Sequence, residues 1–306
     1  MIKTFNDSMR ERFGGKVYRL SLRLGTTCPN RDGFAGSGGC IFCSESGSGD
    51  FAAEYSDDID TQIEKAKQKV SSKLTKDFAG YVAYFQSFTT TYVRNSKEAA
   101  RLETRLRDAL KRPDIIALSL GTRPDCLPDN IIAMLLKLKQ EYGKPIWVEL
   151  GLQTIHDETA AFINRCYKTC VYDDAVARLK KAGLEVITHV IIGLPGETDE
   201  MMKQTIEHIA SQHIEGIKLQ LLHVLKNTRL AQMQADDGKS VREYTLEQYT
   251  EFISELLDII EQNSPETVIH RMTGDPPKSL LISPLWAADK KRVINSLNNM
   301  LRQRKN

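Results

Sequence analysis

The chain has 306 residues, 41% of them hydrophobic, which is enough to bury a large core in one barrel-sized domain. Its 42 basic and 40 acidic side chains give a net charge of +2, so total charge alone cannot support nucleic-acid binding. The N-terminus lacks the apolar run of a signal peptide and no window approaches the ~20 apolar residues of a membrane span, so we expect a cytoplasmic protein with no membrane partner.

Short β-rich runs alternate along the chain with longer amphipathic stretches. The pattern predicts strands at 16–25, 80–87, 114–122, 145–154, 184–195 and 216–225. It predicts helices at 58–74, 96–112, 128–142, 157–182 with a break around 166–170, 198–212 and 245–263. Six successive strand-then-helix units predict an α/β fold with parallel strands, a partial (β/α)6 TIM-type barrel. We expect the barrel over 1–230 and a C-terminal helical and strand extension over 231–306, packed together as a single structural unit.

Alternation within the strands predicts which side chains face the barrel interior. A period of two separates one mostly small or polar set from a second, apolar set that helices would cover. The first set contains Trp147, Glu149, Gly151 and Gln153; Ala117, Ser119, Gly121 and Arg123; and Lys218 with Gln220. Such a lining indicates either a cavity for a polar ligand or hydrogen-bonded polar core residues.

Three cysteines lie in one glycine-rich loop directly after the first predicted strand. The loop, 26–51, reads TTCPNRDGFAGSGGCIFCSESGSGDF and contains Cys28, Cys40 and Cys43. A structural zinc site takes four protein ligands, and no histidine neighbours the loop. A 4Fe-4S cluster held by three thiolates keeps one iron open to a small molecule. Active sites of such barrels lie at the C-terminal ends of the strands, where this loop falls.

The other cysteines and the histidines have ordinary explanations. Cys166 and Cys170 are four residues apart and would share a face on a helix, as a ligand or redox pair. The simpler interpretation, which also covers Cys126, is a set of reduced thiols. His156, His189 and His223 are interpreted as hydrogen-bonded barrel residues. The sequence leaves the roles of the three cysteines and the oligomeric state open.

The cysteine loop resembles that of the radical S-adenosylmethionine superfamily, although its C-x11-C-x2-C spacing departs from the usual C-x3-C-x2-C. Further stretches, including LGTRPDCLPD, VELGLQT, IKLQLLHVLKNTRL and the C-terminal MTGDPPKSLLISPLW, resemble a bacterial branch of YtqA and YhcC type. That branch is itself similar to the radical domain of the elongator catalytic subunit. The resemblance covers nearly the whole chain.

The resemblance implies cofactors and their ligands. Cys28, Cys40 and Cys43 would hold a 4Fe-4S cluster, and S-adenosylmethionine would chelate its fourth iron. Reductive cleavage of S-adenosylmethionine would then give a 5'-deoxyadenosyl radical that takes a hydrogen atom from the substrate. Phe42 and Gly193 would lie near the adenine. Positions near strand ends on inward faces add four candidate S-adenosylmethionine contacts, namely Gln86, Ser119, Glu149 and Gln153.

Two classes of function follow, a radical enzyme and a non-catalytic or electron-transfer iron-sulfur protein. Three ligands and a polar lining favour the enzyme, which would need a reductant such as flavodoxin or ferredoxin. Similarity to the elongator subunit suggests tRNA base modification, with a small metabolite or a protein side chain as alternatives. Basic residues concentrate at the two chain ends, with Arg302, Arg304 and Lys305 at the C-terminal one, where they would form a strip for RNA or the solvated face of a docked helix.

Overall fold

Seven parallel strands form the main sheet of the computed structural model, which describes residues 2–47, 49–56, 58–237 and 241–304. The sheet runs in the order β1-β2-β3-β4-β5-β6-β8, and β7 and β9 form a separate antiparallel pair. The strands are β1 Lys16–Leu22, β2 Phe78–Phe85, β3 Ile115–Thr122, β4 Ile146–Gln153, β5 Glu185–Ile192, β6 Gly216–Leu221, β7 Val224–Leu225, β8 Val268–Arg271 and β9 Leu281–Ser283. The predicted partial barrel is confirmed, and β8, from the C-terminal extension, adds a seventh strand beside β6.

Helices connect successive strands and cover the outside of the sheet. They are α1 Phe5–Phe13, α2 Ile59–Val70, α3 Ser96–Lys111, α4 Asp129–Tyr142, α5 Asp157–Phe162, α6 Thr169–Lys181, α7 Asp199–Ser211, α8 Arg229–Asp237, α9 Leu246–Asn263 and α10 Lys290–Gln303. Polar caps fix several helix starts, for example Asn95, whose side chain accepts from the Glu98 amide at the start of α3. The predicted break in the helix at 157–182 is present as the gap between α5 and α6.

The alternation predicted for the strands holds in the structure. Leu118, Leu120, Val148 and Leu150 belong to the buried cluster that the covering helices complete. Ser119 and Glu149, on the opposite face, are buried and hydrogen-bonded to each other inside the barrel. The sheet therefore separates an apolar outer layer from an interior that holds these polar side chains together with a second buried apolar cluster, which includes Val82 and Trp147.

The N-terminal segment packs at the edge where the strands begin. Phe5 of α1 meets the ring of Trp147 at 6.0 Å between centroids, and the Arg12 guanidinium binds Glu185 at the start of β5 with two bonds of 2.7 Å. Lys3 accepts from the Ile269 amide at 2.8 Å, so the chain start also pairs with β8. This end of the barrel is thereby filled, opposite the end that carries the cysteine loop. Within the part of the chain that is described, no helix has the length and apolar character needed to cross a membrane.

Candidate active site

The cysteine loop leaves the C-terminal end of β1 and is built from turns. The Arg31 amide donates to the Cys28 carbonyl at 2.8 Å, and the Cys43 amide donates to the Cys40 carbonyl at 3.0 Å. The Arg31 side chain then crosses the loop and donates to the carbonyls of Cys43 (3.3 Å) and Ser44 (2.5 Å). One arginine therefore ties the first cysteine's turn to the turn that carries the other two.

A glycine makes that crossing possible. Gly39 has φ of +77°, and a Cβ built on it would lie 2.9 Å from Arg31 Nε. Any larger residue would combine left-handed backbone strain with a clash against the arginine. The sequence showed the glycines of this loop but not which side chain they make room for.

The three thiols are half-buried, and the charges of Cys28 and Cys43 affect the ionisation of Cys40. Burial raises the pKa of Cys40 to about 12, and Cys43 and Cys28 add to this effect. Burial also raises the pKa of Cys43, while Arg31 counteracts the rise. A thiolate at Cys40 or Cys43 is therefore disfavoured without a positively charged partner, which the iron of a cluster would supply if these residues bind it.

Ligand spacing suits a cluster. Across the described ranges, no three His, Cys, Asp or Glu side chains lie close enough together to hold one metal ion. The thiolates of a 4Fe-4S cluster each bind a different iron atom, so they stand farther apart than the ligands of a single ion. A cluster bound by Cys28, Cys40 and Cys43 stays a prediction.

Two buried arginines, Arg123 and Arg165, lie near the Cys40 thiol. Arg123, directly after β3, binds Asp125 at 2.7 Å and donates to the Arg165 carbonyl at 2.9 Å. Arg165 is 1% exposed and donates to the carbonyls at the end of β4. Both guanidinium groups lie against the Tyr167 ring, at 4.8 and 4.5 Å, and Arg123 opposes the rise in the pKa of Cys40. The sequence analysis placed Arg123 on the inward face without giving it a role; Arg165 lies in the α5–α6 break, where no periodicity marks it.

A buried charge network occupies the middle of the barrel. Ser119 Oγ donates to Glu149 Oε1 at 2.6 Å, and His189 Nε2 lies 2.6 Å from Glu149 Oε2. Lys218 Nζ donates to the same carboxylate oxygen and to the Tyr84 hydroxyl, the latter at 3.2 Å. The register that pairs His189 with Lys218 across β5 and β6 brings these groups together. In the middle of the barrel, the polar lining therefore consists of side chains that are hydrogen-bonded to one another.

The neighbouring charges shift the pKa values of Glu149 and Lys218 for different reasons. Burial alone would raise the pKa of Glu149, but Lys218, His189 and Arg19 hold it well below its usual range. Burial lowers the pKa of Lys218 to about 7. Glu149 opposes this effect, and repulsion by Arg19 and Arg271 adds to it. The Glu149 carboxylate is therefore stabilised by Lys218, His189 and Arg19 together. Sequence alone did not identify Lys218 as its main partner.

The remaining predicted contacts lie around the barrel end that carries the loop. Gln86 directly follows β2, and Gln153, at φ of +65°, ends β4 with its Oε1 3.4 Å from the Tyr167 hydroxyl. Gly193 directly follows β5 at φ of +88°, where a Cβ would lie 3.2 Å from the Tyr244 ring. Phe42 packs half-buried on a small apolar cluster with Ile41. Their roles in binding S-adenosylmethionine stay predictions.

The other cysteines do not form a helical pair. Cys166 precedes α6 at φ of +65°, whereas Cys170 lies in its first turn. The Cys166 thiol instead lies 3.1 Å from Asn30 Oδ1, and the Asn30 amide donates weakly to Cys40 Sγ at 3.8 Å. Cys126 is buried. Residues 166 and 170 therefore lack the shared helical face that their spacing alone allows.

Several basic residues at the chain ends are paired with carboxylates. Arg10 and Arg12 bind carboxylates at the strand-start end of the barrel, away from the loop. Arg304 binds Asp258 at 2.6 Å and Glu261 at 3.1 Å, while Arg302 is exposed. Lys305 lies outside the described residues. A shared basic strip for RNA stays a prediction, and several of its charges already have acidic partners.

Comparison with known proteins agrees with this geometry. The model of the Radical SAM superfamily matches residues 24–209, and that of the Radical SAM C-terminal domain matches residues 214–303. The YtqA protein of Bacillus subtilis is 40% identical over 98% of this chain and 89% of its own length, and YhcC of Escherichia coli K12 is 34% identical over 95% and 89%.

More distant similarity reaches proteins that act on tRNA. A tRNA uridine(34) acetyltransferase of Methanocaldococcus jannaschii is 31% identical over 50% of this chain and 29% of its own length. The solved structure of Elp3 from Methanocaldococcus infernus aligns with 92% of this chain and 63% of that chain, at 18% identity and a TM-score of 0.62. Because family models cover most of the residues and the cysteine loop, the chain is a member of the radical S-adenosylmethionine superfamily, whose enzymes use a 4Fe-4S cluster and S-adenosylmethionine.

Proposed function

We propose that this enzyme modifies a base of tRNA by radical chemistry. The observation that carries the proposal is the 31% identity over half of the chain to a tRNA uridine(34) acetyltransferase. That match covers 29% of the archaeal protein, so acetyl transfer is not part of the proposal. The shared region overlaps the barrel, which in TIM-type folds carries the reacting groups at its loop end.

Different residues around the loop would bind the cluster and S-adenosylmethionine. Cys28, Cys40 and Cys43 would bind the cluster and leave one iron for S-adenosylmethionine. The bound cofactors supply the 5'-deoxyadenosyl radical; the protein positions the substrate and excludes water and oxygen. Phe42 and Gly193 would border the adenine.

The four polar candidates are not equally placed for the cofactor. Gln86 and Gln153 stand at strand ends facing the loop end of the barrel. Ser119 and Glu149 lie within their strands, and Glu149 already accepts from Ser119 and Lys218. We therefore assign direct S-adenosylmethionine contacts first to Gln86 and Gln153. Ser119 and Glu149 would contact it only by exchanging partners.

We further propose that the enzyme works in the cytoplasm with a small reductant such as flavodoxin or ferredoxin. All six cysteines are free thiols, which agrees with a reducing compartment. Cys28 and Cys43 are partly exposed, so a cluster bound by them would lie near enough to the surface for a docked reductant to deliver an electron.

A turnover assay tests the substrate. The anaerobically reconstituted protein is reduced with dithionite and supplied with S-adenosylmethionine, with and without bulk tRNA, and 5'-deoxyadenosine and digested nucleosides are measured by mass spectrometry. We expect tRNA to stimulate 5'-deoxyadenosine formation and one nucleoside to change mass. We also expect tRNA affinity to fall steeply between low and physiological salt, as counterion release requires.

Two results would contradict the proposal. Salt-independent or undetectable tRNA binding at low salt would favour a small metabolite or a protein side chain as the substrate. If a radical enzyme of known substrate run alongside is active, a reduced, fully reconstituted sample that makes no 5'-deoxyadenosine under either condition would favour a non-catalytic or electron-transfer iron-sulfur protein.

A further inference from the structure

A cavity of about 470 Å³ opens beside the cysteine loop, outside the barrel interior. Its walls come from four segments: the cysteine loop, the loops after β2 and β3, and α6. Its lining residues include Pro29, Phe34, Tyr92, Arg94, Cys126 and Arg178. This volume falls in the range of about 300–1,000 Å³ that is typical of small-molecule sites.

The cavity adjoins the cluster ligands without sharing residues with the buried network. Pro29 directly follows Cys28, and burial raises the pKa of Cys126 with a further contribution from Cys28, which places that lining thiol near the first ligand. None of Ser119, Glu149, His189 or Lys218 lines the cavity. A ligand here would therefore lie next to the reacting centre and not in the barrel interior.

Two aromatic side chains give the cavity a stacking surface. Phe34, at the tip of the cysteine loop, is 81% exposed, and its ring centroid lies 6.0 Å from that of Tyr92. An exposed phenylalanine on a loop loses no apolar contact by stacking on a flat ligand and gains the burial of its free face.

Tyr92 adds a polar atom at the same place. The residue is 8% exposed, and among the described residues its hydroxyl has no hydrogen-bond partner. Burial raises the pKa of Tyr92, and a hydrogen-bonding interaction with the Asp32 side chain raises it further, although the two groups do not reach the geometry of a full hydrogen bond. A buried hydroxyl without a partner costs free energy until a ligand satisfies it.

The rim carries two cations. Arg94, with a side chain 58% exposed, is paired with Glu98, and Arg178, with a side chain 32% exposed, is paired with Asp174. Arg178 also lies 3.3 Å from Asp129 and donates to the Leu127 carbonyl, so a phosphate at the cavity would compete with these partners. Aromatic faces, a hydrogen-bonding hydroxyl and arginines are the groups with which proteins hold unstacked RNA bases and their phosphates.

We propose that this cavity binds an unstacked nucleotide next to the base that reacts, an inference that rests on the RNA substrate proposed above. The base lies against Phe34, its edge meets the Tyr92 hydroxyl, and Arg94 and Arg178 face the flanking phosphates. Holding a neighbour in this way leaves the barrel end free for the target base, which must leave its stack to reach the radical.

Binding of bulk tRNA to reconstituted protein at low salt tests the inference. We expect Phe34→Ala to weaken binding roughly 5- to 150-fold, the usual effect of removing one stacking partner. Tyr92→Phe removes only the hydroxyl and should weaken binding by about 2- to 12-fold, the effect of one hydrogen bond. The matched control is Phe78→Ala, another exposed phenylalanine at the start of β2, on the opposite end of the barrel; it should bind within about two-fold of the parent.

The outcomes separate this inference from the proposed function. If the parent binds tRNA and Phe34→Ala binds equally well, the cavity assignment is wrong and the RNA substrate stands. If the parent does not bind tRNA, both fail. If Phe34→Ala raises the half-saturating concentration of S-adenosylmethionine as much as that of tRNA, the cavity belongs to the cofactor site and the inference is overturned. Equal loss in Phe78→Ala would also overturn it.

Discussion

At the scale of single residues, the candidate cluster site contains thiols whose ionisation is opposed by burial. The Cys40 and Cys43 thiols lie where burial raises their pKa, and Arg31 and Arg123 offset only part of that cost. A cluster bound by these thiols would supply the rest of the positive charge. If it is bound there, metal binding would also favour the ionised thiols.

This coupling predicts the effect of losing one ligand. Cys43→Ala leaves two thiols for a cluster that needs three, so the reconstituted variant should hold little iron and lack the brown absorption of the parent. Cys170→Ala is the matched control, because Cys170 is an exposed thiol in the first turn of α6, and it should bind iron as the parent does. A Cys43→Ala protein with full iron content would remove the ligand assignment.

His223 predicts a pH dependence of stability. Burial lowers the pKa of this histidine from 6.5 to about 4, with Asp275 and Arg271 as the nearby charges. Between these values the unfolded chain binds a proton that the folded chain does not, so this stability contribution is present above pH ~6.5 and is lost as pH falls toward 4. The shift corresponds to roughly 3 kcal/mol.

Urea unfolding of cluster-free protein between pH 7.5 and 4.5 measures this dependence. We expect the free energy of unfolding to decrease toward acid, and His223→Asn to flatten part of the slope. His208→Asn, a histidine near the surface beside Asp173, is the comparison. An unchanged slope in His223→Asn would show that other groups, such as the buried His189 and His270, carry the acid sensitivity.

Residue positions could be predicted from sequence better than residue partners. Strand alternation placed Ser119, Glu149 and Lys218 on the inward face, and the structure agrees. The partnership of Lys218 with Glu149 depends on the register of β4, β5 and β6, which alternation does not contain. The cavity beside Phe34 and Tyr92 forms between segments nearly sixty residues apart in the sequence. No local sequence pattern could therefore predict it.

At the scale of elements, the long periodic segments were the predictable ones. All six expected strands and the break between α5 and α6 occur, because periodicity over many residues outweighs local exceptions. The four residues of β8 are too short to show alternation, and α1 has only nine residues, with Phe5, Met9 and Phe13 as its apolar positions. Both form because tertiary contacts stabilise them: β8 pairs with β6, and Phe5 packs against Trp147.

At the scale of the whole molecule, those two elements tie the chain ends to the barrel. β8 extends the main sheet, Lys3 pairs with Ile269, and Arg19 of β1 lies 2.9 Å from His270 Nδ1 of β8. Helix α9 packs its apolar face, which includes Tyr249, on α7. The extension at 231–306 therefore completes the sheet and covers a barrel helix.

This arrangement predicts that the barrel and the extension unfold together. In cluster-free protein, Trp286→Phe leaves Trp147 of β4 as the fluorescent reporter, and Trp147→Phe leaves Trp286 of the extension. Within each variant, tryptophan fluorescence and far-ultraviolet circular dichroism should give the same urea midpoint, as expected for one cooperative unit. A chain ending at Leu230 should aggregate, because β6 would become an edge strand with unpaired backbone groups and α7 would expose its apolar face. Two separate midpoints, or a folded and monomeric 1–230 fragment, would show instead that the barrel is an independent domain on which the extension merely docks.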